Sequence, residues 1–185
     1  MPRLPGAAEE IVKHETFAAL RELCEDGYAW VETIGPLSAG KDNPNIYLDP
    51  QFQNTRVGYI LWADIPSAFH GYMLEDPGHI VLTPTPEKDY SAKFKFAVTL
   101  VPMEERTQFP DYFWSHWRDA VIDGVCYRMM TMPSKPYTDK AMGLMHGRKF
   151  RNHVKRCRTI AKSRFSNTAN WRYPSFAVQS RGPFA

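Results

Sequence analysis

Two helical patterns separated by a proline-bounded break govern the second half of the chain. From Tyr112 to Met130, apolar residues recur at Phe113, Trp117, Ala120, Val121, Val125 and Met129. This three-and-four spacing turns one face of a helix toward a core. Pro110 stands before the pattern and Pro133-Ser134-Lys135-Pro136-Tyr137 after it, because proline fixes φ and cannot donate the helical hydrogen bond. A second helix is expected from about Asp139 to Phe165, with Met142, Met145, Val154, Cys157, Ala161 and Phe165 as its apolar seam. Asp139 falls where an acid complements the helix dipole. Between Ala141 and Ser166 there are eight cations and no acid: Arg148, Lys149, Arg151, Lys155, Arg156, Arg158, Lys162 and Arg164. Such a helix packs along one stripe and offers positive charge on its flank.

The rest of the chain is charged the other way. Residues 1–110 hold 9 Lys/Arg against 16 Asp/Glu, and residues 111–185 hold 14 against 4, so the net +3 divides into −7 and +10. A molecule with opposite charge in its two halves suits head-to-tail association between copies, which closes into a ring when the rotation permits. The cationic flank then reads either as a solvated face or as one that pairs with the acidic front half of a neighbouring copy. Hydrophobic content of 43%, with 14% aromatics, supplies a core for one domain of 185 residues. Cys24, Cys126 and Cys157 show no paired spacing, which suits reduced thiols in a cytoplasmic product. No apolar h-region follows Met1 and no apolar run approaches a membrane span, so neither a secretory signal nor a membrane association is expected.

Taken in order, Glu9 to Asp26 reads as a helix, with Ile11, Val12, Phe17, Leu20, Leu23 and Cys24 on one face and Gly27 as its C-cap. Tyr28 to Ile34 reads as extended or turning chain. From Gly35 the apolar period shortens to two and prolines recur. Asn45–Asp49, Arg56–Ile65, His79–Thr83 and Lys93–Val101 are strand candidates. The last places Phe94, Phe96, Val98 and Leu100 on one face, with Lys93, Lys95 and Thr99 on the other. Strands without intervening helices form antiparallel sheets. The expected fold is therefore α+β: a helical bundle from residues 1–34 and 106–166, an inserted antiparallel β module or sandwich at 35–105, and an extended tail at 167–185. The N-terminal helix is expected to pack against the later pair.

Three constellations bear on chemistry. Gly35-Pro-Leu-Ser-Ala-Gly40-Lys41-Asp42 nearly matches a phosphate-binding loop, but Asp42 replaces the hydroxyl residue and Asn43-Pro44-Asn45 opposes a following helix. It reads as a turn. His146, His153 and Cys157 share a helix face, yet eight nearby cations oppose a divalent ion, so packing is preferred to a metal site. The cationic helix could bind nucleic acid, although it carries only Phe150 and Phe165 as aromatics. No nucleophile and base stand at catalytic spacing, so no enzymatic activity, cofactor or metal is expected.

A broader pattern of spaced residues adds to this. Leu4-Pro5-Gly6-Ala7 before a helix, Trp30-Val-Glu-Thr-Ile34, and Tyr47-Leu48-Asp49-Pro50 form its front part. Trp117, Gly124, Arg128-Met129-Met130, Lys135-Pro136-Tyr137, His146, Arg148-Lys149-Phe150 and Trp171-Arg172-Tyr173-Pro174 continue it. Together they resemble the head-to-tail adaptor, or connector, proteins of tailed bacteriophages. The resemblance covers nearly the whole chain. It implies a virion protein of the neck, assembled as a twelve-fold ring of identical copies beneath the portal protein and above an adjacent tail or nozzle protein. Packaged DNA would pass through its lumen at ejection. In that setting Arg148 to Arg164 would line the channel or a subunit interface. Trp171, Tyr173, Phe176 and Phe184 would anchor the tail on a partner. The alternative expectation is a small nucleic-acid-binding regulator that uses the basic helix 148–164.

Overall fold

The computed structural model describes residues 4–73 and 78–165. It is a mixed structure of helices and antiparallel sheets. In chain order the elements are α1 (Glu9–Glu25), β1 (Val31–Ala39), β2 (Asn45–Tyr47), β3 (Thr55–Asp64), β4 (His70–Met73), β5 (His79–Thr83), β6 (Tyr90–Pro102), α2 (Asp111–Met130) and α3 (Lys140–Phe165). The tail residues Trp171, Tyr173, Phe176 and Phe184 lie outside the described residues.

Each helix begins and ends for a local reason. Glu9 and Glu10 put negative charge in the first turn of α1. The left-handed residue after α1 is Tyr28 (φ 58°), not the expected cap Gly27. Gly27 is required for another reason: a Cβ there would lie 2.5 Å from the Leu23 carbonyl oxygen and 3.4 Å from the Cys157 side chain. Between α2 and α3, the Thr138 hydroxyl donates to the Met132 carbonyl at 2.6 Å and accepts from the Lys135 amide at 3.0 Å. The Asp139 carboxylate then accepts the Met142 amide at 3.0 Å, fixing the start of α3.

The strands form two antiparallel sheets of three, ordered β1-β6-β3 and β2-β5-β4. β1 begins at Val31, inside the segment read as extended or turning chain, and pairs Val31 with Thr99 on β6. Its register shifts between Ile34 and Leu37, where Gly35 has φ 121°. A side chain at that residue would collide with the Phe94 carbonyl oxygen, 2.6 Å from an ideal Cβ. The alternation read along β6 holds for Phe94, Phe96, Val98 and Leu100, which are buried. Ala97, Thr99 and Val101 on the opposite face are buried as well. β6 is the central strand and α1 packs on it, so burial there follows the layer and not the period of two.

One buried cluster runs from Leu20 and Leu23 of α1 through Trp30, Phe94, Phe96 and Leu100 to Phe113, Met129, Phe150 and Cys157. The small sheet adds Ile46, Ile80 and Leu82 to it. α2 lies between α1 and α3, and both contacts are close because one residue lacks a side chain. A Cβ at Gly124 would come within 2.9 Å of Ala19 on α1 and of the Phe150 ring on α3.

Candidate functional site

α3 differs from its expected form in one respect that shapes its surface. Met142 and Met145, assigned to the seam from spacing, are 41% and 38% exposed. The buried stripe is Gly143, Gly147, Phe150, Cys157 and Ala161. The two glycines let α3 close on α2: a Cβ at Gly147 would stand 2.6 Å from the Tyr127 ring, and one at Gly143 would stand 2.9 Å from Thr131. Seen from the sequence, large apolar side chains outrank glycine as core markers. At a close helix contact, the absent side chain decides the interface.

With that stripe turned inward, all eight cations are exposed. Arg148, Arg151, Lys155, Arg158 and Lys162 recur at steps of three and four, so they form one ridge about 21 Å long at the helical rise per residue. Lys149 and Arg156 lie on the other flank. Among the described residues, no acid forms an ion pair with any of these seven cations. Among the described residues of one chain, these seven cations are therefore left without a paired acid.

Two tyrosines meet the ridge instead. The Arg158 guanidinium lies 5.0 Å from the Tyr28 ring centroid and donates to the Tyr28 hydroxyl at 3.3 Å. Arg151 stands 5.9 Å over the Tyr127 ring. Tyr28 in turn stacks on Tyr59 of β3, with centroids 5.4 Å apart and planes within 7°. Such contacts hold a guanidinium in place without neutralising it. Sequence reasoning missed these rings because Tyr28, Tyr59 and Tyr127 come from three other segments. The left-handed turn at Tyr28 is the local device that aims its ring at α3.

The other histidine-rich face is used within the fold. Asp123 on α2 takes His146 Nδ1 at 2.7 Å on one carboxylate oxygen and His153 Nε2 at 3.4 Å on the other. Cys157, grouped with these histidines by spacing, is buried beside α1. Its thiol is pushed up to about 12, chiefly by loss of hydration. Cys24 shifts in the same direction for the same reason, reinforced by Cys157. Cys24, Cys126 and Cys157 are all free. No group of three or more His, Cys, Asp or Glu among the described residues is arranged to hold a metal.

Gly40 and Lys41 occupy the turn between β1 and β2, and the Lys41 amide donates to the Asp89 carboxylate at 2.8 Å. No helix follows, so the segment lacks the amide cradle that a phosphate-binding loop needs. Among the described residues, no helix is long and apolar enough to cross a membrane. What the surface offers is a ridge of fixed positive charge that no acid among the described residues pairs with. No protein-family model and no curated protein matches the chain, so the case for this site rests on its geometry.

Proposed function

We propose that the chain is a structural subunit of a bacteriophage head-to-tail adaptor, in which copies join into a ring through the α3 ridge. The supporting observation is a pair of oppositely charged surfaces that one copy leaves unneutralised. The ridge has no acid partner among the described residues. Exposed Asp42, Asp49, Asp64 and Glu87 make no ion pair among the described residues. These acids belong to residues 35–105, which hold 5 Lys/Arg against 9 Asp/Glu. The ridge of one copy on the acidic segment of the next is a heterologous contact, the kind that generates rings. On this reading α1, α2 and α3 form the bundle and residues 35–105 the inserted module. Twelve copies would stand between the portal and a tail or nozzle protein, in the neck of the virion. DNA would pass through a lumen lined by weakly attractive groups, because a channel must not retain the genome.

The second reading, a nucleic-acid-binding regulator, is favoured by the exposed Tyr59 ring and Arg158 guanidinium, both held against the buried Tyr28, since exposed aromatic and guanidinium planes can stack on bases. One experiment separates the two. Sedimentation and native mass measurement of the full chain should find a multimer that dissociates as salt rises, because exposed charge pairs are screened within about 10 Å at 0.1 M. Lys155→Glu with Lys162→Glu and Arg148→Glu should leave helical content unchanged and abolish the multimer. A monomer that binds duplex DNA with steep salt dependence would replace the first reading by the second. A multimer unaffected by the triple reversal would remove the ridge as its contact.

A further inference from the structure

α1 and α2 leave a groove of about 500 Å³ between them. Val121 and Val125 lie buried beneath it, and Val12 and Ile122 border it half-buried. Trp114, 39% exposed, joins it to a second hollow of about 360 Å³ that Val12 also borders. The Thr16 hydroxyl at its side is already spent, donating to the Val12 carbonyl at 2.7 Å. Arg118 is the one charged residue of the first hollow, and it makes no ion pair among the described residues. Its helical neighbours at three and four residues are Trp114, Ser115, Val121 and Ile122, none of them an acid. Glu9 and Glu105 border only the second hollow. The groove therefore runs from a cation, across apolar side chains, to acids.

The same chain carries the converse surface. At the start of α3, Ala141, Leu144 and Met145 recur at i, i+3 and i+4, with Arg148 at i+7, and all four are exposed. Leu144 is 54% exposed, because Gly143 and Gly147 take the α2 contact in place of bulky residues. This is the spacing that a helix laid in a groove presents to it. Asp139 precedes the apolar group and makes no ion pair among the described residues. Along α3 the order is thus acid, apolar group, cation, which is complementary to the order along the groove. Arg148 is also the first residue of the cationic ridge, so the apolar group extends that ridge by one turn.

We propose that the first two turns of α3 in one copy lie in the α1–α2 groove of the next. Leu144 and Met145 fill the apolar part, Asp139 faces Arg118, and Arg148 faces Glu105. No residue of this α3 segment lines the groove, so each copy offers one surface of each kind and the contact repeats from copy to copy. The inference rests on the ring reading and adds an apolar contact beside the charged one. Two or three side chains are too small an interface to hold copies alone, so the multimer still dissociates when salt screens the ridge.

Sedimentation at low salt compares the full chain with Leu144→Asp, with Ile122→Asp and with an equal mixture of the two. Circular dichroism checks that helical content is kept, and Arg118→Glu replaces Ile122→Asp if that variant loses it. Each variant alone should associate at least about tenfold more weakly than the wild type, as expected for losing one buried aliphatic side chain. The mixture should form a dimer of one copy of each and nothing larger, because it holds one intact α3 segment and one intact groove. Wild-type association in either variant, or a mixture no tighter than its components, would overturn the proposal. The apolar dye anilinonaphthalene sulfonate should bind Leu144→Asp more than the wild-type multimer. Equal binding would also overturn it, since the groove would then stay open for a small molecule. The two readings fail separately. A multimer lost on ridge reversal but kept in Leu144→Asp removes the groove contact alone, whereas a wild type that is monomeric at low salt removes both.

Discussion

α1 and α3 hold the two sides of α2 by different means. α1 uses charge: Arg128 of α2 lies between Glu15 and Glu22 of α1, donating to Glu22 and standing 3.8 Å from Glu15. Arg128 also caps the Phe150 ring at 5.4 Å and donates to the Gly124 carbonyl at 3.3 Å, so one guanidinium touches all three helices. Other α1 charges also find nearby partners: Lys13 pairs with Glu9, and Glu25 pairs with Arg21 and Arg56. α3 uses shape, with Gly143 and Gly147 admitting α2 and its cations left outward. A helix that spends its charge on its own fold has little left for a partner. One that packs through glycine keeps its charge available.

The largest test of this contrast is Arg128→Ala. It strips a largely shielded ion pair and leaves Glu15 and Glu22 uncompensated, at a cost of about 3 kcal/mol. In a chain of this size the thermal midpoint should drop by about 9 °C, and calorimetry would measure it. A loss no larger than that of Lys13→Ala, which breaks a solvent-screened surface pair, would remove charge as the means by which α1 is held.

Gly147→Leu tests the other side. The new side chain meets the Tyr127 ring at the point where a Cβ alone would stand 2.6 Å away. Overpacking there should cost about 2 kcal/mol, read from urea denaturation. An unchanged midpoint would mean that α3 can slide without loss, and that its glycines do not set the contact.

The smallest effect lies at Cys157 of α3, packed beside Gly27 just past the end of α1. Its thiol titrates near 12 in the folded chain against an ordinary value of 9.0. Below pH 9 both states hold the proton, so stability is fully present. Between about 9 and 12 only the unfolded chain releases it, and stability falls as pH rises, at up to about 1.4 kcal/mol per pH unit for this group. Unfolding free energies from urea at pH 8.5 and 9.5 should therefore differ more in the wild type than in Cys157→Ala, by about 0.7 kcal/mol. Equal losses in the two proteins would show that this thiol is not kept protonated by the fold.

How far each helix could be read follows from the kind of signal it carries. The seam of α2 is legible in Phe113, Val121, Val125 and Met129, since bulk apolar groups at helical spacing have few other places to go. That of α3 is not, because Met142 and Met145 match the spacing but flank a glycine stripe. Likewise the alternation of β6 predicts one buried face, and the layer over it buries Ala97, Thr99 and Val101 too.

Local chemistry therefore determined the order of helices and strands, the breaks at Pro133 and Gly35, and the segregation of charge along the chain. These depend on residues close in sequence, where proline, glycine and periodicity act directly on the backbone. Only the tertiary structure decided which cations stay unpaired, that Tyr28 and Tyr127 meet Arg158 and Arg151, and that His146 and His153 share Asp123. Each of those contacts joins residues brought together by helix packing. The packing depends on where two backbones can approach, which no single segment specifies.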